Sequence, residues 1–133
     1  MVKDSNIMLS KLATIQLEQR LSKLIEQCSA VDAAVVATLD GYTCAMKQRS
    51  QQYPLERLAT MGSTLMSLGD TITAELRLGT CDNIISENKN GIVAFMHIDD
   101  NLVLITLTTQ KNALGMLLSH SRRCAEEMKK IIA

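Results

Sequence analysis

Ile92-Val-Ala-Phe-Met-His-Ile98 and Leu102-Val-Leu-Ile-Thr-Leu-Thr108, separated only by Asp99-Asp100-Asn101, decide the fold. Both runs are apolar at nearly every position instead of every second one. Strands of that kind are covered on both faces, and the short polar turn between them makes them antiparallel neighbours. The sheet they belong to therefore needs a layer on each side.

Working upstream, Asn88-Lys89-Asn90-Gly91 is a turn by composition, so Cys81 to Glu87 is a strand joined to the first of these runs. Further back, Val31 to Leu39 is rich in valine and alanine, and Asp40-Gly41 marks a tight hairpin because such turns need positive φ. Tyr42 to Met46 is the return strand, and Lys47 to Tyr53 is a polar loop.

Three segments carry helical spacing. The first runs from about Ile7 to Gln27, capped by Asp4 or Ser5. Leu17, Leu21, Leu24, Ile25 and Cys28 form its stripe, continued less cleanly by Met8, Leu12 and Ile15, and Glu18, Arg20, Lys23 and Glu26 lie opposite. The middle helix is expected from Pro54 to Leu78, with proline in the first turn and Gly79 as C-cap. Glu56 and Arg77 suit the positive and negative ends of its dipole. The last helix runs from about Lys111 to Ile132, capped by Thr108 or Thr109, with Gly115 marking close contact with the sheet. The order is helix, two strands, helix, three strands, helix. It predicts one domain, residues 1–133, an α/β fold built as a three-layer α/β/α sandwich on a five-stranded antiparallel sheet.

Composition removes several functions. Fourteen Lys and Arg balance fourteen Asp and Glu, so no basic stripe addresses nucleic acid. Phe95, Tyr42 and Tyr53 are the only aromatics, too few for a base-stacking platform. Cys28, Cys44, Cys81 and Cys124 form no C-x-x-C pair and have no histidine at ligand spacing, so no metal site is expected and the thiols read as inert core groups. No signal peptide and no membrane-length apolar run is recognised, and a cytoplasmic setting with reduced thiols is expected.

The search for catalytic chemistry yields little. Nucleophile elbow, Walker loop and dinucleotide fingerprint are all missing, and Gly62-Ser63-Thr64 lies inside a helix with no preceding strand. Asp99 and Asp100 are adjacent in a turn, where their side chains diverge, and His97 reads as a core or edge histidine and His120 as part of a solvated face. No catalytic residue and no cofactor is assigned.

The middle helix is the informative element. Leu55, Leu58, Met61, Leu65, Met66, Leu68, Ile72, Leu76 and Leu78 wrap beyond one stripe, and Gly62 and Gly69 lie seven residues apart, nearly on one face, flanked by Ser63, Met66 and Thr73. Each interior glycine costs about 1 kcal/mol relative to alanine. Either close seating on the chain's own sheet or close approach of another backbone compensates that cost. The excess of apolar positions favours the second, most simply in a symmetric pair. A bulky residue at Gly62 or Gly69 is then expected to weaken self-association.

The helix order, the Asp40-Gly41-Tyr42-Thr43-Cys44-Ala45 hairpin, the long second helix and Asn112-Ala113-Leu114-Gly115 before the last helix resemble the Roadblock family of dynein-light-chain-like proteins, over about Ser10 to Met128. The family usually shows Asn-Leu-Gly at the last of these points, so the start of that helix is where this chain departs. The resemblance implies a profilin-like fold, pairing through second helices, and joining of third strands between two subunits. Combined with the helix reading, it gives a homodimer interface of Leu58, Met61, Gly62, Leu65, Met66, Gly69, Thr73, Cys81, Asn83 and Ile85. It further implies a non-enzymatic role and binding of a small Ras-like GTPase or of dynein components. Bacterial members often partner a Ras-like GTPase governing motility or polarity, some as its activating protein. Arg49 and Arg57 are the arginines one would test as fingers, but a surface or salt-bridge role fits both better. The alternative is a profilin-like small-molecule sensor, with a pocket between sheet and helix near His97 or Tyr42.

Overall fold

The two continuous apolar runs lie at the middle of the sheet, as their composition requires. The computed structural model describes residues 9–133. The strands are β1 (Ala33–Thr38), β2 (Thr43–Gln48), β3 (Asn83–Asn88), β4 (Gly91–His97) and β5 (Leu102–Thr108). They pair in the order β2-β1-β5-β4-β3, all antiparallel. Central β5 has β1 on one side and β4 on the other, which pairs both its edges, and helices over the two faces bury its side chains at all but one position.

Among the described residues there are three helices: α1 (Lys11–Gln27), α2 (Leu55–Glu75) and α3 (Leu114–Ile132). Alternation along the strands sends side chains to two cores. Val36, Ala94, Met96 and Leu104 meet α1 and α3 through Leu21, Leu24, Leu117 and Met128. Val35, Phe95, Val103 and Ile105 meet α2 through Ala59 and Met66. The three-layer α/β/α sandwich and the element order are those expected from the sequence.

Several boundaries differ from expectation for local reasons. The expected start at Ile7, its caps Asp4 and Ser5, and Met8 lie outside the described residues; within them Ser10 caps α1, its Oγ accepting the Ala13 N–H at 3.0 Å. α2 ends at Glu75, short of Leu78, in a Schellman turn: the Leu78 N–H donates to the Thr73 carbonyl and the Arg77 N–H to that of Ala74. Arg77 takes the left-handed position that closes this turn, at φ 56°, and Gly79, also at positive φ, lies two residues beyond it. α3 starts at Leu114, not Lys111, and neither Thr108 nor Thr109 caps it. Thr109 is instead held by Asp32, through both its N–H and its hydroxyl. Gly115 has open space around it and no close approach to the sheet. β3 begins at Asn83, so Cys81 precedes the strand.

Candidate interaction surface

α2 lies across one face of the sheet, and its sequence divides into two sides. The inner side is set by Leu55, Ala59, Gly62, Ser63 and Met66, all buried. Ser63 donates its hydroxyl to the Thr38 carbonyl at 2.6 Å, tying the helix to the end of β1. A Cβ on Gly62 would come within 2.4 Å of Ile105 Cδ1 and 3.2 Å of the Phe95 ring. One on Gly69 would come within 2.8 Å of Ile84 Cδ1 and 3.1 Å of Cys81 Sγ. The glycines therefore let α2 sit down on its own sheet, and the expectation that they face another protein is corrected. Met66 and Cys81 are likewise buried beneath the helix, and so leave the interface set.

The outer side tells a different story. Met61, Leu68 and Ile72 on the helix, and Leu76 and Leu78 just beyond it, are each half exposed or more. Leu65 and Leu58 stand at the margin, half-buried against the α2-side core. Thr73 is also half-buried and is occupied locally, its Oγ donating to the Asp70 carbonyl. Of the ten residues expected at an interface, Met61 stands out on this surface and Leu65 borders it. Leu68, Ile72, Leu76 and Leu78 belong to it and were not among the ten. For Leu68, Ile72 and Leu76 the spacing held the information: with Met61 and Leu65 they recur four, three, four and four residues apart, which keeps them on one face of a helix.

β3 lies at the edge of the sheet and pairs only with β4. Its outer row of backbone N–H and C=O groups has no ladder partner among the described residues, a template for adding another strand. Asn83 and Ile85 sit half-buried on this strand, with Ile85 turned toward the α1–α3 core. Ile84 points the other way and supports Gly69. The apolar side of α2 and the open edge of β3 are thus neighbours.

Two clefts flank the helix ends. One, of about 810 Å³, lies between the β1–β2 hairpin and the start of α2, lined by Tyr42, Met46, Arg57 and Met61 among others. The other, of about 740 Å³, lies at the end of α2 and includes Asp70, Arg77, Cys81, His97 and Lys129. Tyr42 and His97 therefore sit at opposite ends of the helix, and the space between helix and sheet is filled by Met66, Phe95 and Ile105. The pocket imagined for a small-molecule sensor is not formed there.

His97 is neither a plain core residue nor free. Its Nε2 lies 2.9 Å from Asp70 Oδ2, and its Nδ1 3.0 Å from the Asp99 carbonyl. Asp70 also accepts the Cys81 N–H. Arg49 is equally committed. Its Nε donates to the Val31 carbonyl at 2.9 Å and its Nη2 to those of Ile25 and Cys28, which ends α1 and fastens it to the sheet. An arginine holding three carbonyls is a structural clamp, not a finger. Burial pushes the Cys44 thiol up, and pushes that of Cys124 up to about 11 against the opposing pull of Arg20. A high thiol value means little thiolate and low reactivity.

The sequence matches the Roadblock/LC7 domain family over residues 17–108. No curated protein matches the chain significantly. Among solved structures, an MglB with tetrameric arrangement superposes with a TM-score of 0.84 at 16% identity, covering 94% of this chain and 93% of that one. The gliding protein MglB from Thermus thermophilus gives the same score and identity, covering 94% of both chains. Profilin IA of Acanthamoeba castellanii shares the fold at a TM-score of 0.62 and 14% identity, covering 85% of this chain and 96% of its own.

Proposed function

The chain belongs to the Roadblock/LC7 domain family, and from that premise we propose that it acts as a non-catalytic, homodimeric regulator or scaffold for a small Ras-like GTPase in the cytoplasm. The observation that carries the reading is the exposed apolar side of α2 beside the open edge of β3. An amphipathic helix in a monomer turns its outer face polar; this one places Met61, Leu68 and Ile72 there, with Leu76 at its C-cap. A second copy covers that face and extends the sheet edge at once. The likeness to MglB, one example a gliding protein and another tetrameric, supports self-association and the motility-linked GTPase partner.

Sedimentation of Leu68→Lys against the unchanged chain tests the dimer. At micromolar concentration the unchanged chain is expected to sediment as a dimer. The variant should be a monomer with unaltered circular dichroism, because Leu68 is exposed. An unchanged chain that is monomeric at that concentration removes the reading. The partner is tested by calorimetric titration with a small Ras-like GTPase from the same genome, in its GDP and GTP-analogue forms. Lack of heat with both removes the GTPase clause and leaves the dimer standing.

A further inference from the structure

His97, at the end of β4, stands between two acceptors. Its Nδ1 lies 3.0 Å from the Asp99 carbonyl, which has no proton to give, so that nitrogen carries one. Its Nε2 lies 2.9 and 3.1 Å from the two carboxyl oxygens of Asp70 on α2. That contact needs a second proton, on the ring or on the carboxyl. The closed arrangement therefore holds one proton more than a neutral imidazole beside an ionised carboxylate. Asp70 also accepts the Cys81 N–H, so this proton ties together α2, the approach to β3 and the β4–β5 turn. Other charged groups face the pair from each neighbouring element. Arg77 follows α2, Asp82 precedes β3, Asp99 and Asp100 form the turn, and Lys129 reaches in from α3. Asp99 is spent on its own turn, accepting the Asn101 and Leu102 N–H groups. Arg122 and Glu126 of α3 line the cleft on the other side of His97. Burial, then Asp70 and Asp82, push the Cys81 thiol up, so it adds no charge.

We propose that the Asp70–His97 contact is a proton-operated latch. While the extra proton is bound, it holds the end of α2 and the approach to β3 against β4; its departure frees them and weakens self-association. The last clause rests on the self-association proposed above. Without the extra proton, a ring that keeps its Asp99 contact turns a lone pair toward the Asp70 carboxylate, and the two repel. The contact therefore contributes stability that is present while the proton is bound and is lost as pH rises through the value at which it leaves the folded chain. Gly69 sits directly over Ile84 and Cys81, so a shift of Cys81 disturbs the seat of α2 and the start of the edge strand together.

Asp70→Asn tests the latch. The amide has the shape of the carboxyl, and its NH2 donates to the Nε2 lone pair of a neutral ring, so the contact closes without the extra proton. Nitrogen NMR of the His97 ring follows the proton in the unchanged chain, and amide exchange of residues 76–83 follows the latch in both proteins. Comparing the two at each pH cancels the intrinsic pH dependence of exchange. As the ring signals show the proton leaving, exchange in the unchanged chain is expected to accelerate on the order of tenfold relative to Asp70→Asn, as loss of one charged hydrogen bond implies. Sedimentation over the same pH range should show dimerisation of the unchanged chain weakening while that of Asp70→Asn holds. Exchange that moves equally in both proteins overturns the latch. Exchange that separates as expected while dimerisation of the two stays equal overturns its control of assembly. An unchanged chain that is monomeric at every pH overturns that control and the self-association with it, and the exchange result then judges the latch alone.

Discussion

Arg77 occupies a backbone position that the sequence offers to a glycine two residues later. At φ 56° an L side chain crowds its own carbonyl, a cost of roughly 1 kcal/mol. The Schellman bonds from Leu78 to Thr73 and from Arg77 to Ala74 fix that position regardless of what fills it. Arg77→Gly is therefore expected to stabilise the fold by up to about 1 kcal/mol, less what glycine adds to the freedom of the unfolded chain, as a higher midpoint in urea. A lower midpoint would mean that the Arg77 charge at the helix C-terminus matters more than the strain. The reading from sequence assigns the cap to Gly79 because glycine is the usual left-handed residue; hydrogen-bond closure, which chooses the position, has no composition of its own. Arg49 and His97 are opaque for a related reason. Arg49 reaches carbonyls 18 to 24 residues away, and His97 meets Asp70 27 residues away. Nothing in the local sequence announces such partners.

In α2 the apolar excess is legible and its assignment to faces is not. Helical spacing correctly marks more apolar positions than one sheet covers. The glycines then fall to the outer side, because a costly residue invites an external explanation. The sheet supplies the explanation instead, through Ile105 and Phe95 beneath Gly62. A leucine at Gly62 must displace fully buried Ile105, and overpacking of this kind costs about 1–3 kcal/mol, occasionally more. Gly62→Leu is expected to lose about 3 kcal/mol of stability in denaturant titration, whereas Leu68→Lys, on the opposite side of the same helix, leaves the stability of the subunit nearly unchanged. A Gly62→Leu chain as stable as the original would place the glycine outward after all. The strands behave differently. Uninterrupted apolar runs identify β4 and β5, and turn composition identifies their neighbours, since both properties are local. Edge position, and with it the exposed backbone of β3, depends on the pairing order and emerges only with the fold.

The two layers flanking the sheet are held by different means. α2 rests on side-chain packing, on Ser63 and on the half-buried contact of Asp70 with His97. The opposite layer joins α1 to α3, and there a charge is enclosed: Arg20 is only 8% exposed, and its Nε donates to Glu127 of α3. Its Nη1 is buried without a partner among the described residues, so Glu127 is the counter-charge on which the enclosed guanidinium depends. The hydrogen bond from Arg20 and then its charge hold the Glu127 carboxyl below the usual carboxylate range, with Lys23 and Arg123 adding to the effect. A carboxyl lowered in the folded state contributes stability that is fully present above its unfolded value and is lost as pH falls through the folded one. Glu127→Gln removes that contribution at neutral pH and has nothing left to remove once Glu127 itself is protonated. Thermal melts of the two proteins should therefore differ most near neutrality and converge as pH drops below the ordinary carboxylate range. A gap of constant size across that range would show that Glu127 works by shape and packing, and that the enclosed Arg20 does without its charge.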